Sequence, residues 1–185
     1  MTHHPSINLK VLEPAEIPKL QDFTDKWIGK NYYKEGEIEE ILQSSKGASF
    51  GAWHNGELQG MRLTLAPGEV TKFIKRGLSA ELWPCAVEKM AYFKSLFVAE
   101  GAQGKGVGVS LSERSMEVLR SLGARAIVCH SWLESPGNSS QKYLKKIGFK
   151  EVHHHRKFWF PIDYDCTRCS PEKCICTAVE MVREL

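Results

Sequence analysis

Two stretches of this chain hold residue types and spacings that chemistry uses. The first is "CTRCSPEKCIC", residues 166–176, with Cys166, Cys169, Cys174 and Cys176 in the pattern C-x2-C-x4-C-x-C. A C-x2-C turn presents two thiolates to one tetrahedral ion, and four soft sulfur ligands suit zinc. In an extended segment Cys174 and Cys176 share a face, because the side-chain period is two. Four protein ligands describe a closed, structural site rather than a catalytic one with an open position. An iron–sulfur cluster or redox disulfides are the alternatives, although the spacing matches none of the common cluster runs. The tract His153-His154-His155 puts His153 and His155 on one strand face. One of these could replace a cysteine to give Cys3His; the simpler reading is an exposed polar strand. Cys129 lies in an apolar run and reads as a small buried hydrophobe.

The second stretch is "LFVAEGAQGKGVGVSLSERSMEVL", residues 96–119, which runs strand, glycine loop, helix start. Gly104, Gly106 and Gly108 alternate with Lys105 and Val107. Glycines let the backbone approach a phosphate closely, and free N–H groups at a helix start point at it. The helix dipole adds about half a positive charge at that end, and Lys105 can add a full one. The plain alternative is a tight turn joining strand to helix. The dinucleotide fingerprint G-x-G-x-x-G does not fit, because the third glycine comes too early. The P-loop does not fit either, because Lys105 is followed by Gly106 rather than Ser or Thr.

These residues need a scaffold. The chain has 185 residues, 42% hydrophobic and 25% charged, which suits one domain over 1–185 with a real core. A net charge of +3 with no basic run argues against a nucleic-acid partner. The start "MTHHPSINLKVLEP" has no apolar leader core, and no stretch approaches the ~18 apolar residues of a membrane span. We therefore expect a soluble, cytoplasmic protein whose clustered thiols are reduced and available to metal.

Alternation predicts a strand at 7–12, 91–98 has the aromatic and β-branched content of a buried strand, 126–132 reads as another, and 149–162 and 177–185 read as the last two strands. A hairpin over 49–65 turns at Asn55-Gly56, a dipeptide suited to a type I′ turn. Helices are predicted after Pro14, at 35–45, at 106–122 with Gly123 as stop, and at 138–148 with Gly148 as stop. Residues 66–86 read as irregular. The order predicts a mixed α/β domain with a largely antiparallel twisted sheet and one crossover between parallel strands. The cysteines then fall in a loop, 163–176, inserted between the last two strands. Trp159 and Phe160 cannot both face the core of one strand, so one of them is a candidate wall of an acceptor groove or a partner surface.

The stretch "VAEGAQGKGVG" resembles the coenzyme A loop of the GNAT acyltransferase superfamily, with Gln103, Gly106 and Gly108 at the fixed positions of Gln/Arg-x-x-Gly-x-Gly/Ala. "YLKKIGFKEV" is similar to that family's short helix ending in Gly-Phe, and "TAVEMVREL" to its closing strand. The resemblance implies the GNAT fold, with acyl-CoA in a splay between two parallel strands. Backbone groups of Leu96, Phe97 and Val98 would meet the acyl group and pantetheine arm. N–H groups from Gln103 to Val109, including Gly104, Lys105, Gly106, Val107 and Gly108, would hold the pyrophosphate. Asn138 would touch the cofactor. The implied activity is acetyl transfer from acetyl-CoA to a primary amine, a small molecule or a protein amine.

The match departs from the family pattern at two places. The expected tyrosine position, four before Gly148, holds Leu144, with Tyr143 one residue away. The family's asparagine is likewise displaced by one against Asn138. Tyr143 is thus either the thiolate's proton donor or a core aromatic. The strand at 91–98 lacks a carboxylate, so Glu88, His130 and Glu134 are the candidate bases. Many members of the family dimerise, so a homodimer is among the states implied. Two rival readings differ in class. One is a silent acyl-CoA-binding module; the other is a zinc-dependent interaction domain docking a partner through the cysteine loop.

Overall fold

The computed structural model describes residues 7–185. The leader reading rested partly on residues 1–6, which lie outside the described residues. No described helix is long and apolar enough to cross a membrane.

Seven strands form one sheet in the order β1-β2-β3-β4-β5-β7-β6. They are β1 Asn8–Val11, β2 Phe50–His54, β3 Glu57–Leu65, β4 Met90–Val98, β5 Ala126–Trp132, β6 Lys150–His155 and β7 Ala178–Glu184. Every neighbouring pair is antiparallel except β4 with β5. The helices are α1 Ile17–Trp27, α2 Glu37–Ser45, the single turn α3 Val70–Phe73, α4 Val107–Ser121 and α5 Ser139–Lys146. The β2–β3 turn has Asn55 at φ 50° and Gly56 at φ 80°, as a type I′ turn requires.

Amphipathicity sets the layers. Leu20 and Phe23 of α1 and Ile38, Ile41 and Leu42 of α2 pack on one sheet face with Leu63, Leu65, Met90, Tyr92 and Val128. Met116 and Leu119 of α4 and Leu144 of α5 cover the other face with Phe93, Ile127, Cys129 and Met181. Cys129 is 3% exposed, the buried hydrophobe that its run predicted.

Two features shape the middle of the sheet. The β4–β5 pairing runs only from Met90↔Ala126 to Phe93↔Cys129, after which the strands separate. In the β3–β4 ladder Leu63 faces Ser95 and Thr64 faces Phe93, leaving Lys94 as the extra residue of a β-bulge. The bulge breaks the alternation: Lys94 and Ser95 both reach the α1–α2 side, where Lys94 lies over Tyr32 and Ser95 bonds Tyr33.

The predicted strand over 149–162 is corrected to β6, ending at His155. Lys157 then takes φ 53°, and the Phe158 N–H donates to the Cys176 carbonyl at 3.1 Å. The chain leaves the sheet there to cross over the cysteine segment. Trp159 and Phe160 therefore lie in a loop rather than a strand.

Candidate active site

The loop that leads into α4 is closed by its own residues. Gln103 Nε2 donates to the Val98 carbonyl at 2.9 Å, and Lys105 Nζ to the Gly101 carbonyl at 2.7 Å. Gly106 caps α4 at φ 80°, a left-handed conformation that a side chain would strain. With α4 starting at Val107, the N–H groups of Val107, Gly108 and Val109 have no carbonyl one turn back within the helix. They form a patch of donors at a positive dipole end. Beside it, Leu96, Phe97 and Val98 pair with Arg62, Met61 and Gly60 along one edge. Their other edge faces the splay. Asn138 caps α5 with φ 54°, and its Oδ1 is buried without a partner among the described residues.

Tyr143 lies on this side of the sheet. Its hydroxyl donates to the Gly108 carbonyl at 2.9 Å and lies 2.5 Å from Ser112 Oγ. Ser112 Oγ in turn accepts from Arg62 Nε and Nη2 at 3.2 and 2.9 Å. Arg62 is 3% exposed and stacks 4.1 Å from the Phe93 ring centre. Burial lowers its pKa, with Tyr143 the largest influence opposing that shift. Leu144 takes the core position, so the one-residue displacement leaves Tyr143 facing the first turn of α4.

Across the sheet, the splay opens into a cavity of about 140 Å³. Its floor is Tyr92 and Lys94 of β4 and His130 of β5, and its walls include Tyr32, Arg76, Phe158 and Trp159. Trp159 thus lines the cavity, while Phe160 is 41% exposed. The Tyr92 hydroxyl lies 2.7 Å from His130 Nδ1, and His130 Nε2 lies 2.5 Å from the Gly77 carbonyl. A carbonyl only accepts, so Nε2 carries the proton and Nδ1 accepts from Tyr92. Burial depresses His130 to about 4, keeping the ring neutral. Tyr92 was missed in the sequence, where a carboxylate was sought along this strand and a phenol was passed over.

Beneath the cavity Glu180 is fully buried and accepts from Ser79 N, Trp83 Nε1 at 2.7 Å and His155 Nε2 at 2.9 Å. Burial raises its pKa, but these hydrogen bonds outweigh it and hold the carboxyl below its ordinary value. His130, His155 and Glu180 come close enough to share an ion, yet each is already engaged in this network. His153 packs beside His155 and His154 pairs with Glu151, so the histidine tract does not enter the cysteine cluster.

The other two candidate bases do not line this cavity. Glu88 is exposed in the single turn Val87–Lys89, ahead of the paired end of β4, whereas the strands separate only beyond Phe93. The Glu134 carboxylate accepts the Thr177 N–H at 3.0 and 3.1 Å and thereby positions the start of β7.

The four cysteines converge, with their Sγ atoms all within 4.8 Å of one another. Cys174 and Cys176 are buried on one side while Ile175 is 56% exposed on the other, the alternation the spacing predicts. Cys169 and Cys176 Sγ are 3.6 Å apart. A disulfide needs about 2.05 Å, whereas zinc–sulfur bonds of about 2.3 Å set tetrahedral edges near 3.8 Å. Burial raises Cys166, but the N–H groups of Arg168 and Cys169 and the Tyr164 hydroxyl bring it down to about 7. Burial and the neighbouring thiols push Cys176 up to about 12. Four cysteine sulfurs this close have the number and spacing of a site for one ion.

The profile of the acetyltransferase (GNAT) family matches residues 18–149. No protein among the curated sequences matches. Among solved structures, Arabidopsis thaliana NAA60 in complex with a bisubstrate analogue superposes with a TM-score of 0.72 at 15% identity, covering 97% of this chain and 98% of that one. The NatC complex bound to Gag peptide and CoA gives 0.71 at 12% identity, over 97% and 99%. An agmatine N-acetyltransferase mutant gives 0.68 at 12% identity, over 97% and 100%. At such identities the likeness is one of fold.

Proposed function

Since the chain belongs to the GNAT acetyltransferase family, we propose that it transfers an acetyl group from acetyl-CoA to a primary amine. The observation that carries this reading is the splay, with the α4 donors on one side and the Tyr92–His130 pair on the other. Coenzyme A is a shared ligand of solved relatives, the NatC complex among them. Here the N–H groups from Gln103 to Val109 would hold the pyrophosphate and Leu96 to Val98 the pantetheine arm. The buried Asn138 Oδ1 is free to accept from a pantetheine amide. Free main-chain donors at the splay would polarise the thioester carbonyl.

The hydrogen-bond directions give a route for the proton. The acceptor nitrogen attacks the carbonyl carbon, forming the C–N bond, and the C–S bond breaks as the adduct collapses. The nitrogen's proton passes to Tyr92 Oη while Tyr92 hands its own to His130 Nδ1. Tyr143, backed by Ser112 and Arg62, would protonate the departing thiolate. A connected relay on the acceptor side favours catalysis over a silent binding module. The four cysteines would hold one structural zinc that fixes the loop above the cavity.

Calorimetry with coenzyme A and thiol release with an amine panel test the reading. Binding should be lost in Gly106→Trp. Tyr92→Phe should keep coenzyme A affinity and lose roughly 100-fold in kcat. No binding at millimolar coenzyme A, or full kcat in Tyr92→Phe, refutes the respective assignment.

A further inference from the structure

The cavity beside Tyr92 and His130 has a definite size and charge. Its volume of about 140 Å³ is close to that of a cavity that admits benzene. Two chain segments meet over it. Lys34 Nζ donates to the Asp163 carbonyl, the Asp165 N–H donates to the Lys30 carbonyl, and Tyr164 packs on Tyr32 with ring centres 5.1 Å apart. A polypeptide entering between them would have to part these contacts.

The lining carries Lys75, Arg76 and Lys94 against one carboxylate, Glu37. Glu37 is turned toward its own helix start, where Oε2 accepts the Lys34 N–H at 3.1 Å. None of the three cations makes an ion pair among the described residues. Lys94 is the telling one. The β-bulge aims it into the cavity, half-buried, with Nζ 5.2 and 5.4 Å from the Tyr32 and Tyr33 ring centres. A partly desolvated cation with no carboxylate partner is a ready counter-charge for a ligand.

Resting on the acetyl-transfer reading above, we propose that the acceptor is an amine of amino-acid size carrying a carboxylate, which Lys94 holds while the amine faces Tyr92. Lys75 and Arg76 at the rim supplement the field. The same charges repel diamines and other cationic amines.

The test uses the full chain, acetyl-CoA and thiol-release kinetics. The acceptors are free amino acids, the same amino acids as carboxamides, a diamine, and tetrapeptides with neutral or acidic first residues. The free amino acids should exceed their carboxamides in kcat/KM by roughly tenfold or more, the weight of one charge-assisted hydrogen bond. Lys94→Met should erase that preference through KM, and Lys94→Arg should retain it. Higher kcat/KM for the diamine or the tetrapeptides overturns the proposal and leaves acetyl transfer standing. So does a carboxylate preference that survives in Lys94→Met. Coenzyme A binding with no turnover of any free amino acid overturns it as well, and absence of coenzyme A binding removes the acetyl-transfer reading with it.

Discussion

His130 carries two hydrogen bonds that fix its charge as well as its position. With Nδ1 accepting from Tyr92 and Nε2 donating to Gly77, the resting ring is neutral, and a second proton reaches it only through the Tyr92 hydroxyl. Burial depresses its pKa to about 4, against about 6.5 in the unfolded chain. Between these values the unfolded state binds more protons, so stability falls as pH falls from 6.5 to 4, by about 3 kcal/mol. Glu180 acts with the same sign at lower pH, because its depressed carboxyl must be protonated before its hydrogen bonds are lost. Calorimetric scans at pH 7 and pH 4 should therefore show wild type losing several degrees more than His130→Gln, at roughly 2–4 °C per kcal/mol. Equal losses would show that His130 does not carry the effect. The sequence named His130 from its residue type alone. Its two partners come from 38 and 53 residues away, so neither could be read from the strand that holds it.

At the scale of elements, the cavity is set by how three segments meet. β4 contributes its bulge, the segment between α1 and α2 contributes Tyr32, and the loop after β6 contributes Phe158 and Trp159. The last two come close at Gly29, where φ is 138° and an added Cβ would stand 2.0 Å from the Asp165 carbonyl oxygen. Gly29→Ala must push the two loops apart. We expect a loss of about 2–4 kcal/mol in stability and a several-fold rise in acceptor KM, with coenzyme A affinity unchanged. The latter follows because the α4 donors lie across the sheet. Calorimetry and steady-state kinetics on one preparation check both halves of the expectation. The splay was legible only through the resemblance that the glycine loop carries. The loop over 156–177 was only half legible, because its aromatic and β-branched content mimics a strand while the turn at Lys157 depends on a bond to Cys176.

For the whole molecule, the cysteine cluster ties one wall of the cavity to the end of the sheet. Cys166, Cys174 and Cys176 are buried with Trp132 of β5, Trp159 and Tyr164, and Tyr164 donates to Cys174 Sγ at 3.3 Å. Native mass spectrometry should find one zinc per chain, absent in Cys169→Ser. Its removal by chelation should lower stability by several kcal/mol and raise acceptor KM, while calorimetry with coenzyme A shows little change. An apo mass at full stability would remove the metal from the account. The sequence by itself determined the order of the elements, the glycine turn before α4 and the four-cysteine set, since each is a local pattern written in periodicity, glycine placement or ligand spacing. Only the tertiary structure decided that Tyr92 meets His130, that Tyr143 rather than Leu144 faces α4, that Glu88 stands apart, and that Lys94 enters the cavity. Those outcomes depend on strand pairing, a bulge and loop crossings between residues distant in the chain, and no local pattern encodes which of them come into contact.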